Sequence, residues 1–170
     1  MKYLRGVIRA VLALAAAIIL CLCIRRWCVG TVRVAGASMA DTLCSGDVVL
    51  VSRFDYSDGR SPRRGHVVEC RFPGRSDTYI KRVVGLPGDE IAFFGGALTV
   101  NGSVVPEPYV SSGTGDYSIR LGDDEYLVLG DNRAESYDSR MEDMGPIDSG
   151  AFTGRVRFVI WPIQRIGAIR

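Results

Sequence analysis

The sequence predicts a mainly β, antiparallel domain carried behind one apolar N-terminal helix. Three observations predict it. An uncharged run, AVLALAAAIILCLCI from Ala10 to Ile24, precedes everything else. From about Val29, short β-branched runs alternate with Gly, Pro, Asp and Ser. No later stretch repeats apolar residues at helical spacing over a useful length, which leaves strands and tight turns to build the core.

The N-terminal element spans about residues 7–24, because Val7 and Ile8 extend the apolar run past Arg9, whose aliphatic stem can snorkel. As a helix this covers roughly 27 Å at 1.5 Å per residue, short but workable for a bilayer core of about 30 Å. A cleaved secretory signal is the rival, with Lys2 and Arg5 as its basic start. Arg25 and Arg26 stand where such a signal needs small residues, and the nearest Ala-x-Ala, Ala35–Ala37, lies well beyond the apolar end. An uncleaved single-pass anchor is therefore expected, with residues 1–28 as stub and span and 29–170 as the folded domain. Basic residues flank both ends of the span and do not set its orientation.

The strands follow in order. Val48–Val51 comes after Gly46-Asp47, His66–Phe72 after Pro62 and Gly65, and Tyr79–Val84 ends at Gly85 and Pro87. Glu90–Phe94 and Ala97–Val100 flank Gly95-Gly96, a two-residue hairpin signal, and Asn101-Gly102 is a second one before Ser103–Val105. Glu125–Leu129 and Val156–Trp161 complete the set. Ser111–Asp116 reads as a polar, mobile surface loop.

Composition excludes several functions. Net charge is only +2 and the basic residues are scattered, so no nucleic-acid partner is expected. The single histidine, His66, rules out any site that needs two. The five cysteines fit no zinc spacing, and no metal or organic cofactor is expected. Cys44 and Cys70 are either a disulfide or two separate buried thiols, the second being the commoner arrangement.

Chemistry concentrates in three places. Gly36-Ala37-Ser38-Met39 sets a serine just after a glycine, which alone is a weak signal because turn serines usually bond their own backbone. In Tyr79–Gly85, strand alternation puts Tyr79, Lys81 and Val83 on one face and Ile80, Arg82 and Val84 on the other. If the first face is covered, the Lys81 ammonium is desolvated and its pKa falls. Acting as a base near pH 8 needs a fall of roughly two to three pH units from about 10.4, or about 3–4 kcal/mol. The third place, Gly130–Arg140, packs Asp, Arg and Ser into one loop after an apolar strand, a composition suited to a structured hydrogen-bond network.

In this order the three places resemble the type I signal peptidase family. The matching stretches are Gly36–Met39 with Thr42-Leu43, Gly46–Val49, YIKRVVGLPGD from Tyr79, GDNRAESYDSR from Gly130, and Gly145-Pro146-Ile147. The resemblance covers Val34 to Pro162 and implies an antiparallel β catalytic domain lying against the membrane outside the cytoplasm. It implies a serine endopeptidase that removes signal peptides with small residues at −1 and −3, held in the plasma membrane of a Gram-positive bacterium. It further implies Ser38 as nucleophile and Lys81 as general base, needing no histidine. Ser136 would orient Lys81, Asp131 would pair with Arg82, and Asp138 with Arg140. Gly36 and the Ser38 N–H would border the oxyanion hole, and Val34, Met39, Leu43, Tyr79 and Ile80 would line the substrate pockets. A dedicated peptidase for a few clients, such as pilin precursors, and an inactive binding relative are the alternatives.

Three departures stand out. Asp41 replaces a usual proline, which should loosen the turn by roughly 0.4–1 kcal/mol. Gly36 stands where some members carry a serine that completes the oxyanion hole, a donor worth about 10²–10³ in kcat. His66 replaces a frequent aspartate and is expected at the surface with no catalytic role.

Overall fold

Residue by residue, β-branched side chains on alternating faces set up two antiparallel sheets. The computed structural model describes residues 2–27, 29–40, 42–56, 60–111 and 113–169; Asp41 lies outside them. The strands are β1 (Val29–Arg33), β2 (Val48–Ser52), β3 (Val67–Cys70), β4 (Tyr79–Gly85), β5 (Glu90–Phe94), β6 (Ala97–Val100), β7 (Ser103–Val105), β8 (Tyr117–Arg120), β9 (Leu127–Leu129), β10 (Phe152–Trp161) and β11 (Gly167–Ala168). The larger sheet runs β1-β2-β10-β3-β4-β9, with β11 paired to β10; the smaller runs β7-β6-β5-β8. Every pairing is antiparallel.

Both expected hairpins form, at Gly95-Gly96 between β5 and β6 and at Asn101-Gly102 between β6 and β7. Four strand segments are not evident in the sequence pattern: β1, β8, β11 and the first half of β10. Gly154, Arg155 and Arg157 interrupt the apolar pattern of β10. β8 shows only Tyr117 and Ile119 to the core of the small sheet, too short an alternation to register alone.

Strand β4 ties the domain together, because its residues feed three clusters. Val83 packs with Val68, Cys70, Phe72 and Val128, with Tyr79 at the margin. Ile80 borders the cluster of Met39, Leu43, Val49 and Val67. Val84 packs with Ile91, Phe93 and Leu127. A polar side chain in the middle of this strand therefore has apolar neighbours on either side.

The expected membrane span over 7–24 lies inside a longer helix, α1 (Lys2–Trp27). Among the described residues, no helix is long and apolar enough to cross a membrane, so the fold itself carries this expectation only as far as a helix. Val7, Val11, Leu12, Leu14, Ile18 and Ile19 on α1 are all exposed. Cys44 and Cys70 are free thiols.

Candidate active site

Ser38 is presented by a tight turn that the core pins from below. Ala40 N–H donates to the Ala37 carbonyl at 2.9 Å, and Leu43 N–H donates to the Met39 carbonyl at 2.5 Å. Met39 and Leu43 are buried and Ala37 is exposed, so Ser38 sits half-buried at the rim. Gly36 enters the turn at φ +89°, where an L side chain is strained. A serine hydroxyl at that position would come at a conformational cost this chain avoids.

Lys81 arrives from β4, paired across from Val68 on β3. It is 2% exposed, and its Nζ donates to Ser136 Oγ at 3.1 Å. Burial pulls the ammonium below the ordinary lysine value; the Asp138 carboxylate opposes this and the Arg140 guanidinium adds to it. The nearby Cys70 thiol is pushed up to about 12 by its own burial, so near neutral pH it adds no negative charge to hold the lysine protonated.

Ser38 and Lys81 line one cleft of about 280 Å³, together with Val34, Met39, Tyr79 and Ile80. Strand β9 pairs β4 only from Arg82 to Gly85, so no strand among the described residues covers that edge of Tyr79–Lys81. Leu43, expected on the cleft lining, is instead fully buried in the core beneath it, beside Val49 and Val67. Turn geometry explains this: the Leu43-to-Met39 hydrogen bond folds the chain inward by one turn.

The 130–140 loop binds the two halves together. Asn132 donates from its backbone N–H to the Ser38 carbonyl (3.1 Å) and from Nδ2 to the Ala37 carbonyl (3.2 Å). Gly130 N–H lies 3.1 Å from Ser136 Oγ and 3.0 Å from Asp138 Oδ2, donating to both. A methyl on Gly130 would collide with Ser136 Oγ and with the Ser38 carbonyl oxygen, so this approach requires glycine.

Two ion pairs stiffen the loop. Arg82 holds Asp131 in a bidentate grip, Nε to Oδ1 at 2.9 Å and Nη2 to Oδ2 at 2.7 Å, with both side chains at 1% exposure or less. Arg82 also donates to the Gly65 carbonyl and to Thr42 Oγ1, and Thr42 in turn donates to Asp131. This one network joins β4, the segment after the Ser38 turn, and the 130–140 loop. Arg140 grips Asp138 through Nε at 2.8 Å and Nη2 at 3.0 Å. Burial works to raise the Asp138 pKa, but Arg140, Ser136 and the Gly130 N–H hold it below the usual carboxylate range.

Sequence reasoning gave no role to several residues that the fold brings here. Arg133 pairs with Glu107 at 2.5 Å and donates to Thr114 Oγ1 and the Gly130 carbonyl. Thr114 is therefore buried, while Ser111, Gly113, Gly115 and Asp116 of the expected surface loop are exposed and Ser112 lies outside the described residues. The Arg82 guanidinium stacks 3.9 Å from the centre of the Tyr109 ring. Arg133 and Asn132 lie inside a stretch already singled out, so their density of polar groups was the available signal; Glu107 and Tyr109 carried none. His66 is half-buried rather than freely exposed: its Nδ1 is 3.0 Å from Tyr56 Oη, outside the cleft. Among the described residues, no group of His, Cys, Asp or Glu is placed to hold a metal.

Known proteins resemble this chain over most of its length. The family described as "Signal peptidase, peptidase S26" matches residues 7–161. A "Probable signal peptidase I-2" of Synechocystis is 34% identical over 164 residues, covering 92% of this chain and 74% of that protein. "Signal peptidase I P" of Bacillus subtilis subsp. natto is 33% identical over 166 residues, covering 91% and 88%. "Signal peptidase IB" of Staphylococcus aureus is 31% identical over 174 residues, covering 91% and 89%. Among solved structures, the crystal structure of a signal peptidase I from Enterococcus faecalis matches with a TM-score of 0.52 and 25% identity, covering 56% of this chain and 97% of that one.

Proposed function

Because the chain belongs to the signal peptidase family, peptidase S26, and is an enzyme of signal-peptide processing, we propose that it is a membrane-bound serine endopeptidase working through Ser38 and Lys81. The observation that carries this reading is the shared cleft: a half-buried serine and a desolvated lysine line it together, and the lysine Nζ donates to Ser136 Oγ. Neutral Lys81 takes the Ser38 proton as Oγ attacks the scissile carbonyl and returns it to the leaving amine as the C–N bond breaks; Lys81 then takes a proton from water, which releases the leader from the acyl-enzyme and restores the Ser38 hydroxyl. The Ser38 N–H faces the developing oxyanion, with Gly36 leaving room beside it. The Arg82–Asp131 and Asp138–Arg140 pairs hold the framework and take no proton.

An extended leader would lie along the uncovered edge of Tyr79–Lys81. Val34, Met39, Tyr79 and Ile80 would then give shallow apolar contacts suited to small residues at −1 and −3. With the detergent-solubilised full chain and a preprotein ending in Ala-x-Ala, cleavage after the second alanine is expected. The working form of Lys81 is the uncharged amine, so kcat/KM should rise with pH through the Lys81 pKa. Because burial lowers that pKa, the rise should be complete below the ordinary lysine value of about 10.4. A profile still climbing at that pH, or no cleavage of any leader-bearing substrate, would sink the reading.

We place α1 in the plasma membrane, with the β domain outside the cytoplasm. Support comes from the uncharged run Ala10–Ile24 and from the exposed apolar side chains on α1, whose contact with water is unfavourable. The full chain should stay with membranes through alkaline carbonate extraction. Release into the carbonate supernatant would remove the anchor from the proposal.

A further inference from the structure

Away from the cleft, a second cavity of about 430 Å³ is lined by Asp55, Tyr56, Arg60, Ser61, Arg63, His66 and Arg155. Among the described residues, its charge is unbalanced. Three guanidiniums, those of Arg60, Arg63 and Arg155, share it with one carboxylate, and that carboxylate is already engaged: Asp55 accepts from Arg157 through both of its oxygens. Among the described residues, none of the three lining arginines has a carboxylate partner; Asp58 lies outside the described residues. The neighbouring Arg64 points elsewhere, to Asp89 at 2.7 Å.

Arg60 and Arg63 are exposed, whereas Arg155 and His66 are half-buried, so repulsion among these cations weighs most on the latter two. The strain registers on two groups. Burial, then Arg157, lowers the Arg155 pKa. Burial, then Arg155 and Arg157, pulls His66 down to about 4, with Asp55 opposing and Arg63 adding to the effect. His66 is thus neutral at physiological pH. Its Nδ1 faces the Tyr56 hydroxyl at 3.0 Å and the Arg63 N–H at 3.3 Å, an acceptor arrangement that leaves the proton on Nε2. The cavity offers guanidinium N–H groups, one imidazole N–H and the Ser61 hydroxyl, and one engaged acceptor.

We propose that this cavity binds a phosphoryl oxyanion, presented by a phospholipid headgroup or by soluble phosphate. A single carboxylate would leave most of the charge unanswered and has two oxygens for three guanidiniums. A phosphoryl group offers more oxygens and suits the planar guanidinium fork. Bound there, it neutralises the excess and lets His66 accept a proton more readily.

Since His66 is the only histidine in the chain, its imidazole gives a single resonance that reports on the cavity without reference to peptidase activity. The experiment follows the His66 pKa by NMR in the full chain carrying labelled histidine. The probes are inorganic phosphate in nonionic detergent, bilayer discs containing phosphatidylglycerol, and sodium chloride or acetate at matched ionic strength. An upward move of about one pH unit is expected with phosphate, the anionic lipid discs or both, well beyond that with chloride or acetate. A response to phosphate alone assigns a soluble ligand, one to the discs alone assigns a headgroup, and one to both assigns the shared chemistry. Arg155→Gln should start from a higher His66 pKa and lose the response, whereas Arg155→Lys should retain part of it. The proposal is overturned if neither phosphate nor the discs exceed chloride, if acetate matches phosphate, or if Arg155→Gln responds in full.

Discussion

Ser38→Ala should lose preprotein cleavage by on the order of 10³-fold or more, and Lys81→Met should lose it to a similar extent while remaining folded. The reasons differ. Alanine removes the hydroxyl that attacks and leaves the turn intact, because the hydrogen bonds that shape the turn are made by the backbone of Ala37, Met39, Ala40, Thr42 and Leu43. Methionine keeps most of the length and volume of the lysine between Tyr79 and Val83 but cannot accept a proton. It also relieves a buried amine of its desolvation cost, so Lys81→Met should melt no lower than the parent. The two losses should not add, since serine and lysine act as one unit and the double variant should match the worse single one. Rates measured with an Ala-x-Ala preprotein, beside thermal melts of each variant, check this. Full activity in either single variant would end the dyad mechanism.

Asp131→Ala should be the most destabilising change outside the dyad. It leaves the Arg82 guanidinium charged, buried and without its bidentate partner, and it strands the Thr42 hydroxyl as well. Breaking a buried ion pair from one side costs about 3–5 kcal/mol, which in a domain of this size lowers Tm by roughly 6–20 °C. Much of that cost is the loss of the carboxylate facing a buried guanidinium. Arg82→Met combined with Asp131→Leu should therefore recover much of the lost stability while leaving cleavage impaired, because the link between β4, Thr42 and the 130–140 loop is gone. Melting curves for the two single variants and the double separate these contributions. If Asp131→Ala melts with the parent, the network is not what holds the site together.

Local sequence carried a good part of this picture, for a physical reason. Strand alternation is a two-residue property, so the text around Tyr79–Val83 was enough to set Lys81 on the same face as Tyr79 and Val83, and the packing of Val83 and Tyr79 in one cluster follows from it. Turn chemistry is equally local, and both glycine-marked hairpins formed where the residues required them. The segments missed were those whose apolar pattern is short or interrupted, such as β8 and the first half of β10. Their strand character comes from neighbours already in place, β5 for the one and β2 and β3 for the other.

What the sequence by itself determined was membership of the family, the β class and the residues with the means to do chemistry. These are properties of composition, period and contiguous motif. Only the tertiary structure decided which of them meet. Asp131 reaches Arg82 from 49 positions away, Arg133 reaches Glu107 from 26, and Asn132 clasps the backbone of Ser38. Leu43 turned inward to the core and Thr114 left the surface for Arg133, while the arginines around His66 closed on a cavity of their own. Such encounters depend on which strand lies beside which and on where each loop returns. Those are long-range outcomes of packing, and no window of neighbouring residues contains them.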